Sequence, residues 1–275
     1  MKFERLERRQ LQRDGLCLTY YDEARGRVSV VFQHGLCGSA QQTAEAFPDA
    51  EDLRLLTLEC RGHGSSAAGM PEGLSIASFA ADAVAMIEFE KLAPVILGGI
   101  SMGAAIALRI AARRPDLVRA LILARPAWVS EPAPDNMQPN AEVGELLANL
   151  APEPARDRFE HGATAQRLAV EAPDNLASLR GFFGREPQVV TAALLQRISA
   201  DGPGLTADEV RAITVHAVVI GNAADAIHPL AHARSLAALL PQAQLVEITP
   251  KSVSREMYVK DMQTTLLQFI RTLPS

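Results

Sequence analysis

The sequence predicts an α/β fold, with helices on both faces of a mostly parallel sheet of eight strands. Short, nearly continuous apolar runs alternate with helical patterns along most of the 275-residue chain, as expected for strands buried on both faces. The composition, 48% hydrophobic and 21% charged, is that of an ordinary globular protein. One long stretch, residues 129–208, interrupts the alternation and predicts a helical cap.

The first 21 residues are interpreted as a hairpin of two polar–apolar strands. Its turn is Asp14-Gly15, since these residue types accept the positive φ angles of a two-residue hairpin turn. The hairpin adds antiparallel strands at one edge of the sheet. Six further apolar runs complete the eight strands, at residues 27–32, 53–58, 94–98, 120–124, 216–220 and 244–248.

Helical patterns lie between these strands. We expect helices at residues 76–90 and 104–113, at 230–240 between two prolines, and near the end of the chain. Strand–helix alternation of this kind implies right-handed βαβ units, which place helices on both sides of a sheet. The residues that define the last helical face are Tyr258, Met262, Leu266 and Phe269.

The long interruption divides the chain into a core domain, residues 1–128 and 209–275, and a cap, residues 129–208, inserted after the sixth strand. The cap opens with the Pro-rich segment EPAPDNMQPN and shows short helical patterns around 143–150, 164–171, 176–183 and 189–200. We expect it to cover the carboxyl edge of the sheet, where open α/β sheets bind ligands.

Charge and cysteine content exclude several classes of function. The net charge is −5 without a long basic run, which argues against nucleic-acid or anionic-membrane partners. Three cysteines are too few for a disulfide scaffold or a zinc site. The charged N-terminus is unlike a signal peptide, and no apolar tract is long enough to span a bilayer. We therefore expect a cytoplasmic protein with a small-molecule substrate; a homodimer is left open.

The most informative motif is Gly99-Ile100-Ser101-Met102-Gly103, which lies between an apolar strand and a helical pattern. In this context G-x-S-x-G indicates a sharp strand-to-helix turn that exposes the serine hydroxyl above the sheet. The turn places Ser101 at a helix N-terminus, where developing negative charge is stabilised. A flexible serine loop is the alternative interpretation of such a motif. No P-loop, dinucleotide glycine fingerprint or metal-ligand cluster is visible, so we expect no cofactor and no metal.

The serine motif and three further segments together resemble the α/β-hydrolase superfamily. The resemblance covers almost the whole length of the chain. His34-Gly35-Leu36 looks like the family's oxyanion-hole turn, and Arg61–Ser66 resembles its R-G-H-G-x-S segment, although Glu59 stands where an aspartate is usual. Asp225-Ala226-Ile227-His228-Pro229 resembles the loop that supplies the catalytic acid. The resemblance implies a capped serine hydrolase. Its nucleophile would be Ser101, its acid Asp225, and its oxyanion hole the N–H groups of Leu36 and Met102.

The usual catalytic histidine, which follows the eighth strand in the family, is missing. No histidine occurs after His232, and Ser252, give or take a residue, occupies the expected position. A serine hydroxyl needs a nearby base to become a useful nucleophile. We take His228 as the first candidate base because its loop carries Asp225, with capping or packing of the next helix as its alternative role. His161 in the cap is the second candidate.

Other candidates concern the substrate pocket. His34, Trp128 and His161 are candidates to line it. Arg125, at the end of the sixth strand, would pair either with a substrate carboxylate or with an acid of the cap. Lys251 is a substitute base only if burial depresses its pKa strongly, and Cys37 is interpreted as a small buried thiol.

Two functions remain open at this stage. The first is a serine hydrolase acting on a small ester, thioester, lactone or activated carbonyl through a Ser101 acyl-enzyme, with an atypical or weakened base. The second is a catalytically degenerate member that binds a small molecule under the cap without turnover. The intact serine motif favours the first, and the missing histidine favours the second.

Overall fold

A computed structural model, which describes residues 2–274, contains one eight-stranded sheet. The strands are β1 Glu7–Arg13, β2 Leu16–Asp22, β3 Val28–Gln33, β4 Leu53–Leu58, β5 Val95–Ile100, β6 Val118–Ala124, β7 His216–Gly221 and β8 Ala243–Glu247. Their order is β1-β2-β4-β3-β5-β6-β7-β8. Only the pairings of β2 are antiparallel; every pairing from β4 to β8 is parallel. The predicted mostly parallel eight-stranded sheet is confirmed.

The predicted hairpin forms the edge of the sheet. Arg13 pairs with Leu16, and the two residues between them have the positive φ angles that the turn requires, 51° at Asp14 and 74° at Gly15. The second hairpin strand, β2, then pairs antiparallel with β4. The hairpin therefore attaches to the parallel sheet through β2, as the sequence predicts.

Eleven α-helices accompany the strands in the described part of the chain. Their bounds are α1 Ala40–Ala46, α2 Ile76–Phe89, α3 Met102–Arg113, α4 Gln138–Asn149, α5 Pro152–Glu160, α6 Ala163–Glu171, α7 Pro173–Phe182, α8 Gln188–Ser199, α9 Ala207–Arg211, α10 Leu230–Leu239 and α11 Arg255–Thr272. The sequence did not predict α1 or α9, because helices of seven and five residues carry little periodicity. It did not predict α5, because seven of its nine residues, PEPARDRFE, are proline or charged.

The hydrophobic core lies on both faces of the sheet. Neighbouring strand residues such as Val30 and Val31 point into opposite layers. One layer packs against α2, α3 and α10, and the other against α1 and α11. Burial on both faces explains why the sequences of these strands are nearly continuous apolar runs. The predicted arrangement of helices on both sides of the sheet is confirmed.

The segment between β6 and β7 carries α4 to α9. Apolar residues of α4 to α8 form a separate small cluster, which includes Val143, Phe159, Leu168 and Leu195. Helices α4 and α8 pack closely against each other. This cluster lies in the segment for which the sequence predicts a cap. Among residues 2–274, none of the helices is long and apolar enough to cross a membrane.

Candidate active site

Ser101 occupies the junction between β5 and α3. It precedes the first helical residue, Met102, with φ 57° and ψ −111°. Its amide donates to the carbonyl of Ala124 at the end of neighbouring β6, at 2.9 Å. A positive φ is strained for a side chain with a Cβ, so the flanking structure must hold this turn in place.

The glycines of the motif allow that turn. A Cβ on Gly103 would lie 2.3 Å from the carbonyl oxygen of Gln33, and one on Gly99 would lie 2.7 Å from the Cα of Gly103. Both separations are far shorter than real Cβ contacts. The helix therefore starts so close to β3 and β5 that only glycine fits at these two positions.

Ser101 Oγ lies 2.8 Å from Nε2 of His228. On the other side of the ring, Nδ1 of His228 is 2.9 Å from Oδ1 of Asp225. An ionised carboxylate can only accept hydrogen bonds. When Nδ1 donates its proton to Asp225, Nε2 is left to accept the serine proton. The structure thus brings the three predicted catalytic side chains together in the order serine, histidine, aspartate, with each in hydrogen-bond contact with the next. The acid and the base come from a single loop.

Asp225 is 2% exposed and is held by several donors. Its Oδ2 accepts from Nε and Nη2 of Arg125, at 2.9 and 2.6 Å. Its Oδ1 accepts from the backbone amide of His228 and from Nδ2 of Asn175, each at 2.9 Å. Asn175, from α7, also accepts the backbone amide of Ala226 through Oδ1 at 2.7 Å. Helix α7, in the segment predicted as a cap, therefore braces the loop that carries the acid.

These contacts set the ionisation of the site. Burial tends to raise the pKa of Asp225, but His228 and Arg125 together hold it well below its usual range. Burial lowers the pKa of His228; Asp225 opposes that shift and Arg125 adds to it. The result is an ionised carboxylate beside a neutral imidazole at neutral pH, which is the state a general base requires.

Arg125 has a different partner from either one considered from the sequence. It pairs with Asp225 and not with a cap acid, and its Nη2 lies 3.1 Å from Nδ1 of His228. Its guanidinium also lies over the ring of Tyr258, 5.6 Å from the centroid. Arg125 does line the cavity described below, but its charge is already neutralised by Asp225.

The turn after β3 lies beside the serine. A Cβ built on Gly35 would be 3.5 Å from the Cβ of Ser101. Gly35 and Cys37 donate their amides to Gln42 and His63. Across residues 2–274, the amides of Leu36 and Met102 have no protein acceptor. Both N–H groups are thus free to donate, as the predicted oxyanion hole requires.

A cavity of about 450 Å³ opens onto Ser101 and His228. Leu36, Cys37 and Arg125 line it from the core, and helices α4 and α7 close it from above. Cys37, interpreted from the sequence as a small buried thiol, is partly exposed, and burial raises the pKa of its thiol to about 12. Cap residues in the wall include Met137, Asn140, Asn175, Leu179, Phe182 and Arg185.

The position at which the resemblance places a histidine is filled by the turn after β8. Ser252 is exposed, and its neighbour Lys251 lines the cavity. The expectation allowed Ser252 or a neighbouring residue at this place, and the structure puts Lys251 there.

Three predicted pocket residues lie elsewhere. His34 is fully buried below the site, with Nδ1 bound to the carbonyl of Gly35 and Nε2 accepting from the amide of Cys60. Trp128 packs in the core and donates to the carbonyl of Asp201. The side chain of His161 is 79% exposed on the surface of the cap. These assignments were wrong, because local sequence does not reveal which face of a turn or helix meets the cavity.

Asn175, Asn140 and Arg185 also line the cavity but were not predicted from the sequence. Each comes from the segment predicted as a cap, at least 37 residues along the chain from any recognised motif. Polar residues on short helices of this segment gave no signal that separated them from the solvent-exposed residues around them.

Within the described residues, no cluster of three or more His, Cys, Asp or Glu side chains could hold a metal ion.

Comparisons with known proteins agree with the architecture. A family model described as alpha/beta hydrolase fold matches residues 28–251. A Klebsiella pneumoniae protein named "Putative carbamate hydrolase RutD" is 29% identical over 235 residues, 81% of this chain and 83% of that protein. The pimeloyl-[acyl-carrier protein] methyl ester esterase of Chromobacterium violaceum is 33% identical over 198 residues, 70% of this chain and 73% of that protein.

A solved structure gives the same picture of the fold. The enol-lactonase from Burkholderia xenovorans LB400 superposes with a TM-score of 0.69 at 22% identity, covering 96% of this chain and all of that one. The named relatives are hydrolases, which supports a hydrolase activity here. Given the family model, the relatives and the shared sheet, the chain belongs to the α/β hydrolase fold family.

Proposed function

We propose that this protein is a serine hydrolase that cleaves a small ester, thioester or lactone through an acyl-enzyme on Ser101. The observation that carries the proposal is the 2.8 Å contact between Ser101 Oγ and His228 Nε2, with Asp225 at 2.9 Å on the opposite ring nitrogen. Nucleophile, base and orienting acid in this geometry form the arrangement that activates a serine hydroxyl.

The chemistry follows from these positions. As Ser101 Oγ attacks the substrate carbonyl carbon, its proton passes to Nε2 of His228. The carbonyl oxygen takes up negative charge and accepts hydrogen bonds from the amides of Leu36 and Met102. When the carbon–oxygen or carbon–sulfur bond breaks, His228 returns the proton to the leaving group. A water molecule, deprotonated by the same imidazole, then hydrolyses the acyl-enzyme and restores Ser101.

The base in this proposal is atypical in position and in strength. It lies three residues after the acid, so both side chains move with one loop. The charge of Asp225 is shared with Arg125, which reduces the stabilisation that the carboxylate gives to an imidazolium. We therefore expect a weaker base than in a site whose acid has no cationic partner.

The names of the curated relatives support an acyl substrate, since one is an esterase acting on a methyl ester and another is named for a carbamate. A cavity of about 450 Å³ suits a small substrate. Within this class, the proposal favours short acyl groups on activated or strained leaving groups.

The test is steady-state hydrolysis of 4-nitrophenyl acetate together with labelling by a fluorophosphonate. We expect labelling at Ser101 in the wild type, none in Ser101→Ala, and a loss of at least about a hundredfold in kcat for His228→Ala. His161→Ala is the matched control, because its exposed ring lies far from the cavity, and it should behave as wild type.

Two outcomes would contradict the proposal. If His228→Ala retains wild-type kcat while Ser101→Ala is inactive, His228 is not the base. If none of the variants alters a barely detectable rate and no label attaches, the protein binds a small molecule without turning it over.

A further inference from the structure

Two cationic side chains line the site cavity without a carboxylate partner. They are Arg185, in the loop between α7 and α8, and Lys251, in the turn after β8. Across the described residues, neither forms an ion pair, and no aspartate or glutamate lines this cavity. The third cation of the wall, Arg125, is neutralised by Asp225. The cavity that surrounds the serine therefore has an excess of positive charge.

Arg185 is held in place by neutral groups only. Its Nη1 donates to Oγ1 of Thr191 at 2.8 Å, and its Nη2 donates to the carbonyl of Gly62 at 2.5 Å. These bonds orient the guanidinium but leave its charge uncompensated. A guanidinium has five N–H donors, so further donors remain for a ligand. Arg185 also lines a neighbouring cavity, where Glu45 and Glu186 are found.

The two cations lie on opposite sides of the nucleophile. Arg185 contacts Gly62, in the loop that follows β4, whereas Lys251 follows β8. In the sheet, β5 with Ser101 at its end lies between these two strands. A substrate bound at Ser101 thus has a cation on either side, and a carboxylate on its acyl part is attracted by both charges.

We propose that the substrate carries a carboxylate, and that Arg185 and Lys251 recognise it. This inference rests on the proposed hydrolase function and adds the chemical class of its substrate. A guanidinium in a partly desolvated wall binds a carboxylate more strongly than a neutral group, through charge-assisted hydrogen bonds. Selection of an anionic substrate explains why the cavity keeps two charges that the fold itself does not neutralise.

Asn140 adds a second polar feature to the same wall. It is 5% exposed, and its Oδ1 is buried without a hydrogen-bond partner in the protein. Buried amide groups are normally satisfied. Because an amide oxygen only accepts, the missing partner would be a donor on the substrate, such as a hydroxyl or an N–H, and not the carboxylate itself.

The experiment compares two esters that differ in one charge, 4-nitrophenyl butyrate and mono-4-nitrophenyl glutarate. For the wild type we expect kcat/KM for the glutarate ester to be higher by about tenfold, the effect of one charge-assisted hydrogen bond. Arg185→Gln and Lys251→Gln should each lower this ratio, and Arg185→Lys should retain part of it. Arg167→Gln and Lys260→Gln, surface changes outside the cavity, are the matched controls and should keep the wild-type ratio.

A binding measurement separates this inference from the proposed function. Calorimetry with glutarate on the Ser101→Ala variant should show binding that Arg185→Gln or Lys251→Gln in the same background weakens. If glutarate binds in this way but neither ester is hydrolysed, the hydrolase proposal fails and the anion site stands. If both esters react equally well and glutarate does not bind, the anion site is refuted while the hydrolase proposal stands.

Discussion

Arg125 and Asp225 form a buried ion pair in direct contact with the proposed base. Arg125 Nη2 lies 2.6 Å from Oδ2 of Asp225 and 3.1 Å from Nδ1 of His228. With a neutral imidazole, the three groups carry no net charge; once His228 takes the serine proton, they carry one positive charge. The guanidinium thus opposes the protonation that catalysis requires and keeps the imidazole neutral at lower pH.

This relationship predicts a pH profile. Burial and Arg125 lower the pKa of His228 below 6.5, so kcat/KM should rise with pH through an apparent pKa below 6.5 and then level off. In Arg125→Met the rising limb should move to higher pH, because the nearby positive charge is gone. The measurement is kcat/KM between about pH 4 and pH 9, with the imidazole resonance of His228 as a readout that does not require turnover.

Arg125→Met should also lower the free energy of unfolding. Asp225 would lose its charged partner while staying buried, and breaking a buried pair from one side destabilises proteins by roughly 3 kcal/mol. Arg167→Gln, which removes an exposed arginine outside the cavity, is the control for both readouts. A rising limb that stays in place or moves to lower pH would show that Arg125 does not act on His228.

The second prediction concerns the serine turn. Gly103→Ala places a Cβ 2.3 Å from the carbonyl oxygen of Gln33, so α3 must move away from β3. We expect a loss of about 3 kcal/mol in the free energy of unfolding, at the upper end of the usual effect of overpacking. Gly181→Ala is the matched control, since a Cβ there meets nothing within 4 Å. Urea denaturation measures both; equal stabilities would contradict the proposed crowding.

The third prediction concerns acid stability. Burial lowers the pKa of His34 to about 4 and that of His63 well below 6.5. The unfolded chain therefore binds more protons than the folded one below about pH 6.5, and stability falls as pH decreases from 6.5 towards 4. The effect of His34 alone is on the order of 3 kcal/mol.

Urea denaturation at several pH values tests the acid-stability prediction. His34→Gln should flatten the dependence of stability on pH, even if it lowers stability at neutral pH. His161→Asn, which replaces an exposed histidine on the protein surface, is the matched control. A wild-type stability that does not change between pH 6.5 and 4 would refute the assignment of His34 as a buried neutral group.

Local sequence determined much of the fold of this protein and part of its candidate active site. Three features depend only on residues that are close together in the chain: the hairpin turn at Asp14-Gly15, the two-sided burial of the central strands and the turn around Ser101. The backbone preferences and apolar spacing that produce these features are therefore visible in a single stretch of sequence. The sequence also located Asp225 and singled out His228, because both belong to one recognisable loop. The short helices α1 and α9 were missed because one or two turns carry little periodicity, and α5 was missed because it has almost no apolar residues.

Only the tertiary structure decided which distant side chains meet. Arg125 comes from the end of β6, Asn175 from the cap and Asp225 from the loop after β7, and their contacts span 50 and 100 residues of sequence. The sequence could not show that His34 and Trp128 point away from the cavity, or that Arg185 and Lys251 point into it. The direction of a side chain depends on the packing of whole elements against one another, and no spacing within a single element records that packing.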